Sequence, residues 1–196
     1  CKPVLWVGSA GLAEHLPPLL GPVGPPAGKD PAGERPSEGK SVVVLAGSVS
    51  PVTRKQVGML IQRADVEWIE TNPCKLLQPE AAIHEISRCL NAALNAVRSG
   101  RDVVMATGYG GDAVDKVRQE ALSLDLPVQE TAERIADALG GLGRRIAAGA
   151  TLAGLVLTGG DIAASACRLL SATGIRIIEE IAPGIPLGTL KGGPCD

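Results

Sequence analysis

The chain has no phenylalanine, one tyrosine and two tryptophans in 196 residues, an aromatic share of 2%. Its core must be built from Val, Leu, Ile and Ala around Trp6 and Trp68, and the stacking platforms that hold single-stranded nucleic acid are missing. An excess of either charge is also missing. Nineteen Lys and Arg against 21 Asp and Glu leave a formal net charge of −2, and the cations are dispersed along the chain. Nucleic acid is therefore not an expected partner. No stretch approaches the roughly 18 uninterrupted apolar residues of a spanning helix, and no basic segment leads into an apolar run at the N-terminus. Neither a membrane nor export is expected, which leaves the cytoplasm as the expected location. The five cysteines, Cys1, Cys74, Cys89, Cys167 and Cys195, form no C-x-x-C pair and stand near no histidine grouping. Zinc ligation is unsupported and free thiols are expected. Cys89 and Cys167 fall inside helical patterns and are expected to face the core.

What is present is the composition of a folded domain, with 45% hydrophobic and 20% charged residues. Short apolar runs alternate with longer segments of helical period, which predicts an α/β fold: a three-layer α/β/α sandwich around a mainly parallel sheet. Strands are predicted over residues 3–7, 41–46, 66–70, 102–106, 154–157 and 175–179, with the Val, Ile and Leu content of strands buried on both faces. Helices are predicted over residues 12–20, 51–64, 79–99, 131–148 and 163–173. Pro79 opens one helix and Gly100 closes it. Thr131 is a candidate cap for the next. Residues 21–39, dense in Pro and Gly, predict a long surface loop between two strands, and residues 108–126 a loop carrying one short helix. There is no internal repeat. The chain opens with Cys rather than Met and its first residues already read as a strand, so a piece of a longer polypeptide is expected, with residues 1–196 as one domain.

Three small-residue turns follow predicted strands, and in an open α/β sheet ligands bind beyond the carboxyl ends of the strands. The first is Gly8-Ser9-Ala10-Gly11-Leu12. The second is Gly47-Ser48-Val49-Ser50-Pro51-Val52-Thr53, where Ser50 and Pro51 are the ordinary opening of a helix. Helix capping leaves Ser48 and Thr53 unexplained, and hydroxyls at Ser48, Ser50 and Thr53 suit a phosphate or a metal-bound water. The third is Thr158-Gly159-Gly160-Asp161. Its paired glycines let a nucleotide approach the backbone, and Asp161 is placed either to cap the helix or to engage Mg²⁺. Neither G-x-G-x-x-G nor G-x-x-x-x-G-K-[ST] occurs, so a nucleotide site here is of another kind.

These turns, in this order, resemble the C-terminal nucleotide-binding domain of the four-carbon acid sugar kinases, which phosphorylate threonate, erythronate or 3-oxo-tetronate-type acids at the terminal hydroxyl. Further matches are Gln56 and the stretch Glu179-Glu180-Ile181-Ala182-Pro183-Gly184-Ile185-Pro186-Leu187-Gly188. The resemblance implies ATP and Mg²⁺ as cofactors, with Ser48, Thr158, Gly159, Gly160 and Asp161 against the nucleotide, Asp161 toward the metal, and Glu180 and Gly184 close by. It also implies that the sugar acid and the catalytic residues belong to an N-terminal domain preceding Cys1, so that the chain alone is expected to bind nucleotide weakly and to transfer no phosphoryl group. A homo-oligomer is compatible with it. The family usually has Thr where this chain has Ile162, which removes a hydroxyl that could have met a phosphate.

Two other readings compete. Ile162 favours a degenerate nucleotide- or ligand-binding regulatory module without kinase activity. A different Gly-Gly-Asp nucleotide enzyme, similar to phosphofructokinases or diacylglycerol-type kinases, would usually continue with Gly-Thr after the Asp. His15 and His84 stand alone in helical patterns, and no His supports Ser48 or Ser50 as a nucleophile. Lys116, Arg118 and Glu120 read as a solvated face.

Overall fold

A computed structural model describes residues 40–47, 50–108, 112–182 and 185–193. Among these residues β1 (Val42–Ala46), β2 (Val66–Thr71), β3 (Asp102–Thr107) and β4 (Gly154–Thr158) form one parallel sheet in the order β2-β3-β1-β4. In the middle of the sheet Leu45 stands opposite Met105 on one side and Leu157 on the other. β1 and β3 are covered on both faces, which is why β3 runs through five consecutive buried residues, Val103 to Thr107, the first four of them apolar.

The two faces carry different helices. Val43, Leu45, Ile69, Val103 and Met105 pack under Cys89, Ala93 and Val97 of α3 (Pro79–Arg98) and under Leu139, Leu142 and Ile146 of α5 (Val128–Gly149). Ala46, Val66, Val104 and Ala106 pack instead under Val57 and Leu60 of α1 (Pro51–Leu60), with Trp68 at the margin. The result is the expected three-layer α/β/α arrangement. Each fully buried Leu or Ile contributes roughly 1.5–3 kcal/mol, and most of that apolar mass sits on the α3–α5 face.

Helix starts follow local chemistry. Ser50 caps α1 by accepting the Val52 N–H at 3.3 Å, with Pro51 in the first turn. α3 opens on Pro79 with Glu80 beside it, and Gly100 beyond its end has φ 74. α5 begins before the predicted cap: Thr131 lies inside the helix and donates its hydroxyl proton to the Pro127 carbonyl at 2.9 Å. Pro127, extended at φ −60 and ψ 150, already turns the chain into the helix there, so no side-chain cap at residue 131 is needed. A short helix not expected from the sequence, α2 (Pro73–Leu77), is capped by Asn72, whose Oδ1 accepts from the amides of Cys74 and Lys75. The segment read as a loop with one short helix contains α4 (Ala113–Ser123).

One predicted strand is misplaced. Residues 175–179 do not join the parallel sheet; they belong to β5 (Gly174–Ala182), which pairs antiparallel with β6 (Ile185–Lys191) as a separate two-stranded sheet after α6 (Gly160–Leu169). A Pro-Gly pair between two β-rich runs is the sequence of a hairpin, and β6 supplies the adjacent partner that a fifth parallel strand would have sought across the sheet. The elements predicted over 3–7 and 12–20, the loop over 21–39 and Trp6 lie outside the described residues.

Candidate functional site

The helix that follows β1 lies on one face of the sheet, and the helices that follow β2, β3 and β4 lie on the other. The carboxyl edge therefore opens on either side of β1, which is where such sheets hold ligands. On the β4 side the second and third glycine turns meet. The Gly47 N–H donates to the Thr158 carbonyl at 3.4 Å, one residue past the Ala46–Thr158 register pair.

The glycines there differ in what they do. Gly159 has φ 105 and ψ 128, a conformation that side-chain-bearing residues rarely adopt, so its role is to turn β4 into α6. Gly160 needs no such freedom, and a Cβ built on it meets nothing within 4 Å. It keeps the start of α6 bare, where the first helical amides have no partner within the helix and favour an anion. Asp161 stands in that first turn, exposed, and makes no hydrogen bond or ion pair to another described residue. Its carboxylate makes no capping hydrogen bond; it sits where the helix dipole favours negative charge and where a cation could be held.

Ile162 proves to be a core residue. Only 4% exposed, it joins the cluster of Leu45 and Leu139, and a Cβ at Gly47 would lie 2.0 Å from its Cδ1. The side chain at 162 points into the protein and away from the exposed start of α6. Its place in the fold is accounted for by packing between Leu45, Leu139 and the Gly47 turn.

Of the other candidates, Ser50 is the α1 cap, and Thr53 is buried in the first turn of the same helix. Glu180 stands on β5, in the hairpin and not in the sheet. Ser48 and Gly184 lie outside the described residues. His84 is exposed on α3. The described cysteines are free; Cys89 is fully buried, while Cys167 is only half-buried on α6. Among the described residues no three His, Cys, Asp or Glu side chains gather into a metal site. Asp161 alone fits the way Mg²⁺ is usually held, by one or two carboxylates plus substrate phosphates.

On the far side of β1, the ends of β2 and β3 border a cleft of about 400 Å³ that sequence reasoning missed. Its wall is built on Glu85, 2% exposed, which accepts the Asn72 N–H at 2.9 Å and two hydrogen bonds from Arg88 at 3.1 and 2.6 Å. The Arg88 guanidinium, helped by the Asn72 amide, holds the Glu85 carboxyl below its ordinary range against the opposing effect of burial. Arg88 also donates to the Glu70 carbonyl, tying α3 to the end of β2. Burial pushes the Cys74 and Cys89 thiols up, so neither is a thiolate at neutral pH.

The family model of the nucleotide-binding C-terminal domain matches residues 43–195, most of the chain. The chain belongs to this family. Its relatives carry the kinase names that the sequence resemblance leads one to expect, and the family is that of the four-carbon acid sugar kinases. This nucleotide-binding C-terminal domain is 44% identical over 187 residues to a D-threonate kinase of Bordetella bronchiseptica, covering 95% of the chain and 39% of the relative. It is 30% identical over 192 residues to a D-threonate kinase of Salmonella typhimurium, covering 98% and 42%. The chain thus spans about two fifths of the length of these curated relatives. A crystal structure of a domain of unknown function from Bordetella bronchiseptica, described as a domain-swapped dimer with bound citrate, shares the fold at a TM-score of 0.60. It is 23% identical and covers 80% of this chain and 35% of that one.

Proposed function

We propose that this chain binds ATP with Mg²⁺ at the turns that end β1 and β4, as the nucleotide-binding part of a kinase that phosphorylates a four-carbon sugar acid at its terminal hydroxyl. The observation that carries this reading is the junction of Gly47 with Thr158, which brings two small-residue turns and the starts of α1 and α6 to one stretch of the carboxyl edge. Family membership and the names of the relatives support it. In the proposal, the bare amides of Gly160 and its neighbours take phosphate oxygens, and Asp161 is the carboxylate for Mg²⁺. The metal would neutralise charge on the phosphates, and the chain's own contribution is orientation and fixed dipoles. Ser48, Glu180 and Gly184 enter by resemblance alone. Residues 1–196 act as one nucleotide-binding domain, with a sugar-acid domain and the catalytic residues in the portion of the relatives that this chain does not cover. A cytoplasmic location and self-association, the latter after the domain-swapped dimer described for the Bordetella fold, complete the proposal.

Thermal unfolding of the chain with Mg²⁺ and either ATP, GTP or no nucleotide tests it. A ligand that binds only the folded form adds about 2.7 kcal/mol at a hundred times its Kd, and ATP should raise Tm accordingly. Gly160→Val should abolish the rise and leave the unliganded Tm unchanged, because the new side chain enters open space. An ATP-induced rise that survives in Gly160→Val would falsify the assignment of the turn. Acid-dependent ADP release by the isolated chain at the rate of a full-length relative would remove the division of labour.

A further inference from the structure

α6 brings Gly160 and Asp161 to the carboxyl edge, and its own ends do not fix where it lies. It starts from Gly159, which has no side chain to cap it and stands at φ 105, and the chain leaves it through Ser171 at φ 57. Its seat must therefore come from its flank. Ile162 anchors the first turn in the core. Beyond that turn α6 lies on α5, and the facing surfaces are smooth. A Cβ at Gly140 would be 2.8 Å from Ser165 Oγ and 2.9 Å from the Ala166 amide, and one at Gly141 would be 3.9 Å from Leu169 Cδ1. Small residues let two helices approach closely, but they raise few ridges to resist sliding or rotation of one along the other.

One directional contact supplies what the smooth surfaces lack. Ser165, 5% exposed, is the one polar side chain buried on α6, and its hydroxyl donates to Asp137 Oδ1 at 2.6 Å. The Arg168 guanidinium donates to the same oxygen. The Ser165 hydroxyl, with Arg168 behind it, holds the half-exposed Asp137 carboxyl below its ordinary range, so at neutral pH it is ionised and only accepts. A buried hydroxyl deprived of its acceptor is costly, and this acceptor is met at a single register of the two helices. Asp161, Ser165 and Arg168 stand at i, i+4 and i+7, one stripe of α6. A slip at Ser165 is therefore passed to Asp161 through one helical turn, about 5.4 Å, as a rigid displacement.

We infer that Asp137 is a positioning residue for the nucleotide turn: by accepting from Ser165 it fixes the register of α6 on α5, and with it the place of Gly160 and Asp161 beside Gly47. For the ligand that the turn receives, this role rests on the kinase reading; the tie between the helices does not. Arg168, with most of its side chain in solvent, adds little to it.

Asp137→Ala, Asp137→Asn, Ser165→Ala and Arg168→Ala are to be compared with Arg101→Ala, which loses contacts to Glu67 and the Val66 carbonyl at the opposite, amino edge of the sheet. Two readouts are taken well below the unfolding transition. Without nucleotide, amide hydrogen exchange at residues 163 and 164 should speed up in Asp137→Ala and Ser165→Ala by more than it does at residues 43 and 45 of β1, which report global opening. With Mg²⁺, the ATP affinity of the folded protein should fall by about two- to thirtyfold in the same two variants, the range for residues that act on a site they do not touch. Asp137→Asn keeps an acceptor oxygen and should retain most of both properties, which a role exerted through charge would not allow. Arg168→Ala and Arg101→Ala should leave ATP affinity unchanged, whatever stability they lose. Exchange at residues 163 and 164 that moves only with β1, full ATP affinity in Asp137→Ala, or an equal loss of affinity in Arg101→Ala would each overturn the role given to Asp137. A parent chain that binds no ATP rejects the kinase reading of the turn, and the exchange measurement then decides by itself whether Asp137 holds α6 in place.

Discussion

At the ends of β1 and β4 the chain presents backbone, and at the ends of β2 and β3 it presents charge. The first half is made by Gly47, where a side chain would collide, Gly159, whose backbone a side-chain-bearing residue could not readily adopt, and Gly160, which leaves the helix start bare. The second is made by Asn72, Glu85 and Arg88, held by a buried carboxylate that three hydrogen bonds keep ionised. Adjoining strands of one sheet have thus solved the same problem, fixing a turn at the carboxyl edge, by two kinds of chemistry. A backbone solution should be insensitive to pH and sensitive to a single methyl group. A side-chain solution should show the reverse.

The largest effect should come from removing the carboxylate. Glu85→Ala deprives the Asn72 amide of its acceptor and Arg88 of its partner, and should cost about 2–3 kcal/mol of stability, in the range for an orphaned buried group and discounted because Arg88 is half exposed. The folded-state pKa of Glu85 is depressed, so the unfolded chain binds the extra proton. Its contribution is present above the ordinary Glu value of about 4.3 and is lost as pH falls through the lower folded value. Urea midpoints between neutral pH and pH 3 should fall for the parent and flatten in Glu85→Gln. If Glu85→Ala also removes nucleotide binding in the folded fraction, the two halves are one site and the comparison breaks.

A smaller loss should follow Gly140→Ala, which tests the backbone half from beneath. A Cβ at residue 140 of α5 would lie 2.9 Å from the Ala166 amide and 3.0 Å from the Ser165 carbonyl carbon, so α6 itself must shift. Overpacking costs about 1–3 kcal/mol, and the gain in helix propensity returns at most about 1. A net loss near 1–2 kcal/mol is expected in calorimetry. Since α6 carries Gly160 and Asp161 at its start, ATP affinity should fall as well. A stabilised Gly140→Ala protein would show that α5 and α6 have slack between them.

These contrasts also explain what could be read from the residues alone. β1 and β3 were legible because central parallel strands must be apolar on both faces, β4 because this edge strand is a short apolar run between turns, and the glycine turns because Gly-Gly after such a strand has few structural uses. β5 misled because its isoleucines look buried, yet Ile175, Ile177 and Ile181 are 54–64% exposed in the hairpin. α2 was invisible because five residues starting at a proline carry no period. The cleft could not be found by motif, since Asn72, Glu85 and Lys116 meet only through strand order. One signal was available: Glu85 and Arg88, spaced i and i+3 on a helix, beside an Asn-Pro at a strand end. At position 162 a family comparison says which residue is usual, and only the fold shows that the side chain is buried.

The smallest effect to resolve is the coupling between Gly47 and Ile162, and it bears most directly on why the backbone half keeps its glycine. A methyl at 47 would sit 2.0 Å from Ile162 Cδ1 and 2.9 Å from Cγ1, with Leu139 Cδ1 at 3.4 Å closing the other side. The obstruction is the end of one side chain, so Gly47→Ala should be tolerated at a cost of about 1–3 kcal/mol as Ile162 leaves its rotamer. Ile162→Val alone removes the offending Cδ1 and should cost about 0.5–1.5 kcal/mol for the void. Together the new methyl occupies part of that void. The double variant should therefore be more stable than the sum of the single losses by about 1 kcal/mol, within the range for residues in contact. Cγ1 remains close, so relief is incomplete. Urea unfolding of the four proteins measures the coupling, and ATP titration of the same set adds a second reading. Affinity should drop in Gly47→Ala, where the start of α6 is pushed away from β1, and recover in the double variant. Additivity within about 0.3–0.5 kcal/mol would mean that the two residues do not share the space the structure gives them, and the glycine at 47 would then need a reason in the ligand.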